Sequence, residues 1–169
     1  MQLPAVAFPA YYVLATLFLM KVICAQELHT VYIVNNCGKG YPVLGGLYGE
    51  FYPTTDPTTT LTFQGPAWGL LSYLQYTDDD GNNVCGKDGE GCTMVEATLS
   101  NTGSSVDITL IPPHAFSVGA GFAYYGGCNG AGMNCTSAAC PGAKHNASEG
   151  WLQVSCTSAS VSLEITFCQ

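Results

Sequence analysis

Two acidic residues, Glu96 and Asp107, lie in neighbouring segments that the sequence predicts to be the strands of one hairpin. The segments 93–99 and 106–111 are rich in β-branched residues, and the linker 100–105 that joins them is rich in turn formers. The alternation favours a pairing in which opposed residue numbers sum to 203, or one shifted by two residues, with the apolar side chains on one face; the first sets Glu96 opposite Asp107 on the other face. The predicted pairs are Val95 with Ile108, Ala97 with Val106, Glu96 with Asp107, and Thr98 with Ser105.

Two carboxylates that face each other across a strand pair repel, so one must be protonated, bind a cation or accept hydrogen bonds from a ligand. Carboxyl groups about 5 Å apart also suit a retaining glycosidase. Hydrolysis further requires an acid held protonated near the working pH, and the sequence shows no apolar pocket or third charge that would provide it. Glu96 and Asp107 are therefore candidates for catalysis or ligand binding. Two solvated carboxylates on an exposed sheet face are the alternative.

No other group of residues defines a catalytic centre. The motifs of serine hydrolases, phosphate-binding loops and zinc proteases are absent, and the three histidines have no spacing that defines a site. Residues 78–83 resemble a calcium loop but lack its closing acidic residue, which favours a solvated turn. Trp68 and Trp151 could stack on sugar rings, with core packing as the alternative. We predict no cofactor and no metal site.

The N-terminal segment predicts export. Residues 10–20 are uncharged and almost entirely apolar, which suits the hydrophobic region of a signal peptide and falls short of the roughly 20 residues that span a bilayer. Cleavage after Ala25 would remove a signal peptide over residues 1–25 and leave one domain over residues 26–169. An uncleaved anchor is the alternative. We therefore expect a secreted protein that resides outside the cell or in a cell wall.

The charge and the polar composition restrict the partners. The chain has four basic residues, all lysine, and twelve acidic residues, which give a net charge of −8. Nucleic acids and anionic membranes bind positively charged surfaces, so neither is a predicted partner. The many Gly, Thr, Ser, Tyr and Asn residues suit neutral sugars better than charged ligands. Sequons at Asn134 and Asn146 predict a glycoprotein and place residues 134–148 at the surface.

The cysteines predict disulfides. One of the nine, Cys24, lies in the predicted signal peptide. The eight that remain form an even set, which in an exported protein indicates four disulfides and no nucleophilic thiol. A zinc site is the alternative that an oxidising compartment disfavours. Its ligands would be Cys128, Cys135, Cys140 and His145.

Strand-like segments occur along the whole mature chain, and no stretch has a convincing helical period. Clusters of Gly, Pro, Asn and Asp separate the segments. This pattern predicts an all-β fold, either a sandwich or a barrel. Besides the two hairpin strands, the predicted strands are 29–34, 58–63, 70–76, 115–125, 152–156 and 161–167.

Several segments resemble the thaumatin-like family in order and spacing, and its short fungal members most of all. The resemblance runs from about His29 to Cys168 and implies a β-sandwich or flattened barrel with disulfide-tied loops. The large disulfide-rich second domain of longer members is absent, because only 15 residues separate Cys140 from Cys156. The segments that carry the resemblance are 31–37, 93–99 with 106–111, 128–141, and 153–156 with 165–168.

The resemblance also implies a disulfide pairing and part of a site. Glu96 and Asp107 fall where two acids of the family's cleft are expected. The cleft arginine has no counterpart, and Pro112 stands where many members have a further acid. The implied disulfides are Cys37–Cys168, Cys85–Cys92, Cys128–Cys156 and Cys135–Cys140.

The family's functions belong to three different classes. Members bind or weakly hydrolyse β-1,3-glucan, act as antifungal defence proteins, or inhibit secreted enzymes such as xylanases. The missing arginine and acid favour a secreted protein that binds cell-wall polysaccharide, with β-1,3-glucan as the predicted ligand, in defence or wall remodelling. A weak endo-β-1,3-glucanase that uses Glu96 and Asp107 is one alternative, and an inhibitor of a secreted hydrolase is the other.

Overall fold

Among the described residues, eleven strands form two β-sheets that pack face to face. The computed structural model describes residues 26–46, 51–53 and 56–169. The predicted signal peptide, residues 1–25, lies outside them. The strands are β1 Leu28–Asn35, β2 Tyr41–Gly45, β3 Phe51–Pro53, β4 Thr58–Gln64, β5 Ala67–Gln75, β6 Met94–Leu99, β7 Ser104–Thr109, β8 Ala120–Tyr125, β9 Gly132–Cys135, β10 Val154–Cys156 and β11 Ser162–Phe167, with one 3-10 turn at Gly150–Leu152.

The order of the strands places the first strand, β1, next to the last strand, β11. The five-stranded sheet has the order β4-β1-β11-β8-β9, and the six-stranded sheet has the order β10-β7-β6-β5-β2-β3. Strands β1 and β11 are parallel neighbours, with Val31 opposite Leu163, whereas the other neighbouring strands pair antiparallel. The predicted all-β sandwich is confirmed.

Alternating apolar side chains hold the two sheets together. Val31 and Ile33 of β1 are fully buried, and Tyr32 between them is partly exposed. This alternation turns every second side chain of a strand towards the opposite sheet. The inner faces of both sheets supply one core that includes Leu70, Leu74, Val95, Ala97, Leu99, Val106, Ile108, Phe122, Tyr124, Leu163, Ile165 and Phe167.

A second, smaller apolar cluster lies on the outer face of the six-stranded sheet. Tyr73 of β5 and Met94 of β6 are buried there, beside the disulfide of the loop 76–93. The loop lies close because Gly89 has φ of +78° and no side chain, and a Cβ at that position would meet both Met94 and Tyr73. The loop covers one end of the outer face. The acidic pair lies further along the same face.

Four disulfides tie the loops and the chain ends to the sheets. They join Cys37 to Cys168, Cys85 to Cys92, Cys128 to Cys156, and Cys135 to Cys140, the pairing that the family resemblance implies. The sulfur atoms considered as zinc ligands are therefore bonded to other sulfur atoms. Four disulfides are typical of secreted proteins. No helix in the described part of the chain has the length and apolar character needed to cross a membrane.

Three short strands and several boundaries differ from the sequence prediction, and the largest boundary difference is at the start of β8. Strands β2, β3 and β9 were not predicted. Pro42 lies within β2 and Gly132 begins β9, and both residue types are uncommon in strands. Strand β8 begins at Ala120 rather than at residue 115. The segment before it is fixed by side chains instead of a strand ladder, because the Thr93 hydroxyl donates a hydrogen bond of 2.8 Å to the Val118 carbonyl.

Candidate functional site

The strands β6 and β7 bring Glu96 and Asp107 together. The observed register pairs Glu96 with Asp107, Val95 with Ile108, and Thr98 with Ser105, as the alternation of apolar and polar residues predicts. Leu71 of β5 lies opposite Glu96 on the other side. Both acids therefore project from the outer face, beyond the apolar cluster.

Asp107 is a buried anion with an intramolecular partner. Its residue is 1 % exposed, and its Oδ2 atom accepts hydrogen bonds from Nζ of Lys144 at 2.7 Å and from Nε2 of Gln153 at 3.1 Å. The Oδ1 atom is also buried and has no hydrogen-bond partner. A buried carboxylate requires such a cation to offset its lost hydration. Asp107 is thus held in one orientation with one oxygen unpaired.

Lys144 and Gln153 come from irregular segments beside the edge of β7. The backbone N–H of Lys144 donates to the Ile108 carbonyl at 2.8 Å, and its carbonyl accepts from the Leu110 N–H at 2.8 Å. Through these two hydrogen bonds Lys144 pairs with the edge of β7 as one residue of a neighbouring strand would. Gln153 follows the 3-10 turn and directly precedes β10, which pairs with β7 through Val154 and Val106.

Neither Lys144 nor Gln153 was predicted from the sequence to be part of the site. Lys144 supplies the positive charge of the site, although the chain has no arginine. Its position in a loop hides this role, because loop residues have no periodicity that could place them opposite a strand. The available signal was scarcity, since Lys144 is the only lysine after Lys87 in an acidic chain that has no arginine.

Glu96 has a different environment from Asp107. It is partly buried, and no hydrogen bond reaches its carboxyl group from the described residues. Burial raises the pKa of Glu96, and the negative charge of Asp107 raises that pKa further; Lys144 and His114 oppose the shift. The two acids thus share one cation, and the cation is bonded to Asp107.

A cleft of about 270 Å³ opens over the two acids. Its walls come from four neighbouring segments of the six-stranded sheet, so the cleft crosses the strands. Polar side chains, apolar residues and the backbone of Gly69 line the cleft together. The cleft has room for a ligand above the sheet. The lining residues are Gly69, Leu70, Leu71, Glu96, Ala97, Thr98, Ser105, Asp107 and Gln153.

Two exposed tryptophans are close in sequence to residues that line this cleft. Trp68 is 51 % exposed and directly precedes Gly69 of β5, whereas Trp151 is 73 % exposed and lies two residues before Gln153. In the sheet order, β6 and β7 separate β5 from β10, a distance of about 14 Å at the usual strand spacing. Neither indole is buried in the core, so core packing, the alternative from the sequence, is wrong for both.

The other predicted positions lie apart from the acidic pair. Asn134 in β9 and Asn146 in a turn are both exposed, as a glycosylation site requires. His145 contacts the Cys140 carbonyl through Nε2 at 3.1 Å. Asp78 accepts backbone hydrogen bonds within its own turn, including one of 2.8 Å from Asn82. No group of three or more His, Cys, Asp or Glu side chains suited to a metal ion occurs in residues 26–46 and 56–169.

Comparison with solved structures assigns the fold. A thaumatin-like xylanase inhibitor superposes with a TM-score of 0.54 at 18 % sequence identity, over 82 % of this chain and 99 % of the inhibitor. The chain has a thaumatin-like fold. No protein-family model matches the sequence, and no curated protein sequence is significantly similar to it.

The thaumatin-like fold thus presents an acidic cleft with three chemical features. Asp107 provides a fixed anion, Glu96 provides a group that can hold or release a proton, and Lys144 balances one negative charge. Asp107 is poorly placed to attack a sugar carbon, because Oδ2 is bonded to Lys144 and Gln153 and Oδ1 is buried. The arrangement suits ligand binding better than covalent catalysis.

Proposed function

We propose that this chain is a secreted protein that binds a neutral cell-wall polysaccharide, β-1,3-glucan, across the acidic cleft. The observation that carries the proposal is a cleft over the acidic pair whose lining residues Gly69 and Gln153 lie one and two positions along the chain from the exposed Trp68 and Trp151. Aromatic faces suit the apolar faces of sugar rings, and nearby polar groups pair with the hydroxyls. A role in antifungal defence or wall remodelling would follow from such binding.

The charge balance supports a neutral ligand. The described surface carries few cations, since Lys144 is bonded to Asp107 and Lys39 lies over the ring of Tyr76 at 3.9 Å. An anionic polysaccharide would be repelled by a chain of net charge −8. A neutral glucan meets no such repulsion. Four disulfides and exposed sequon asparagines fit the extracellular setting in which cell-wall polymers occur.

Inhibition of a secreted hydrolase is the second candidate function, and one specific observation favours it. A solved structure that this fold matches is a thaumatin-like xylanase inhibitor, and the match covers 99 % of that protein. Exposed tryptophans such as Trp68 and Trp151 are also the residues that most often anchor protein interfaces. The same surface could therefore bind an enzyme instead of its substrate.

Three parallel assays on the purified protein separate the functions. Sedimentation with insoluble β-1,3-glucan measures binding, release of reducing sugar from soluble glucan measures hydrolysis, and residual activity of secreted xylanases and proteases measures inhibition. We expect saturable binding to the insoluble glucan with little or no sugar release. Inhibition of an enzyme without glucan binding would replace the proposed function with the second candidate. Rapid sugar release that is lost in Glu96→Gln would replace it with a glucanase.

A further inference from the structure

The acidic pair has a proton-dependent charge that follows from its contacts. Lys144 is bonded to Oδ2 of Asp107 at 2.7 Å, so these two groups form a neutral pair. Glu96, opposite Asp107 in the strand register, has no cation of its own. The site therefore has a net charge of zero when Glu96 is protonated and of −1 when it is not.

The unpaired oxygen of Asp107 identifies a place for that proton. Oδ1 is buried without a donor, and an unsatisfied buried acceptor is strongly disfavoured. Glu96 is the residue directly across the ladder, where Cβ atoms are about 5 Å apart. A protonated Glu96 can donate its O–H to Asp107 Oδ1, which satisfies the acceptor and removes the repulsion between the two carboxylates.

We propose that the cleft binds its neutral polysaccharide in the form in which Glu96 carries a proton, so that affinity for the glucan increases as the pH falls. The inference rests on the proposed function and adds to it the protonation state of the site. A sugar ring above Glu96 removes water from that carboxyl group, and loss of water disfavours the charged form. Ligand binding and proton uptake are therefore coupled.

The other groups that face Glu96 set the pH range over which the affinity for the glucan changes. Asp107 on β7 favours the protonated form, and Lys144 and His114 oppose it. Leu71 on β5 and Gln153 beside β7 are uncharged neighbours. The Nδ1–H group of His114 donates a hydrogen bond of 3.0 Å to the Gly89 carbonyl. The variant that removes the titrating proton of Glu96 must therefore retain His114, as the wild type does.

Calorimetric titration with a β-1,3-linked glucose hexamer tests the coupling between pH 4 and pH 8. For the wild type we expect affinity to fall with rising pH by up to about tenfold per unit, with uptake of about one proton on binding, measured from the dependence on buffer ionisation enthalpy. Glu96→Gln keeps a donor for Asp107 Oδ1 without a titrating proton. This variant should bind at pH 8 more tightly than the wild type, with little pH dependence.

Each contrary outcome has a separate meaning. Wild-type affinity that is constant with pH, or equal pH dependence in Glu96→Gln, overturns the coupling and leaves glucan binding in place. Affinity that increases with pH also overturns it, because the cleft would then bind the neutral hexamer in the form in which Glu96 is ionised. Failure of the hexamer to bind at any pH, together with failure to sediment with insoluble glucan, contradicts both the coupling and the proposed function.

Discussion

The Nζ atom of Lys144 lies 2.7 Å from Oδ2 of Asp107, and both side chains are almost completely buried. This ion pair joins a loop to a central strand, because Asp107 belongs to β7 and Lys144 lies in the segment after the Cys135–Cys140 disulfide. It also gives the acidic pair its asymmetry. One carboxylate is neutralised inside the protein, and the other, Glu96, responds to the solvent and to a ligand.

The buried ion pair predicts a large loss of stability when only its cation is removed. Lys144→Met should lower the free energy of unfolding by about 3–5 kcal/mol, because Asp107 would be left as a buried charge without a partner. Adding Asp107→Asn to the Lys144→Met variant should restore most of this loss. Urea denaturation gives the free energies.

The matched control for this prediction is Lys87→Met. Lys87 is exposed, and its substitution should change the free energy of unfolding by no more than about 0.5 kcal/mol. If Lys144→Met and Lys87→Met have equal stabilities, the contact between Lys144 and Asp107 does not contribute to the folded state as described.

Replacing Glu96 should raise the free energy of unfolding at neutral pH, whereas Lys144→Met should lower it. Its pKa is raised in the folded protein by burial and by Asp107, so the folded state holds the proton more tightly than the unfolded chain. The stabilisation from this proton is complete below the unfolded pKa and is lost as the pH rises through the folded pKa. Glu96→Gln should therefore be more stable than the wild type at pH 7 and equal to it near pH 3.

Thermal unfolding at both pH values measures this difference. Glu164→Gln is the control, because Glu164 is an exposed acid on the other sheet. A gain in melting temperature that is the same at pH 3 and pH 7 would argue against a raised pKa and for a simple packing effect. A loss at pH 7 would show that ionised Glu96 is stabilised by a contact that the structure does not contain.

The disulfides predict unequal contributions to stability. Cys37 and Cys168 are separated by 131 positions and connect the two parallel terminal strands, whereas Cys135 and Cys140 are separated by 5. In the chain-entropy model the longer loop contributes more, about 4–5 kcal/mol. Replacing both Cys37 and Cys168 with alanine should lower the free energy of unfolding more than the same change at Cys135 and Cys140. The reverse order in urea titrations would contradict the model.

The sequence was sufficient to predict the hairpin and insufficient to predict its surroundings. The alternation from Val95 to Ala97 and from Val106 to Ile108 restricts the register and determines the face, because a shift by one residue would turn the acids towards the apolar core. Lys144 and Gln153 lie in irregular segments, where no period relates position to direction. The exposure of Trp151 likewise depends on a single 3-10 turn. The site is thus predictable where it is built on strands and not where loops complete it.

Two further segments show the same limit in the fold. Residues 115–119 have the composition of a strand, but Thr93 bonds to Ser117 and Val118 through side chains, and the ladder starts only at Ala120. Strand β9 contains a glycine and an asparagine, which propensity assigns to turns. It forms because Gly132 lets the chain lie against Phe122 and Ala123 of β8. Such tertiary contacts have no local sequence signal.

The central claim, that the acidic cleft and its two tryptophans form the glucan site, is tested most directly by one binding isotherm. Sedimentation with insoluble β-1,3-glucan at pH 5 compares the wild type, the double variant Trp68→Ala with Trp151→Ala, and Tyr125→Ala, which removes an exposed aromatic ring from the other sheet. Both tryptophans are exposed, so the double variant should remain folded. We predict that it loses at least about fivefold in affinity, from roughly 1 kcal/mol of lost stacking, while Tyr125→Ala binds like the wild type. Equal affinity of all three proteins, or a loss confined to Tyr125→Ala, would contradict the assignment of the site.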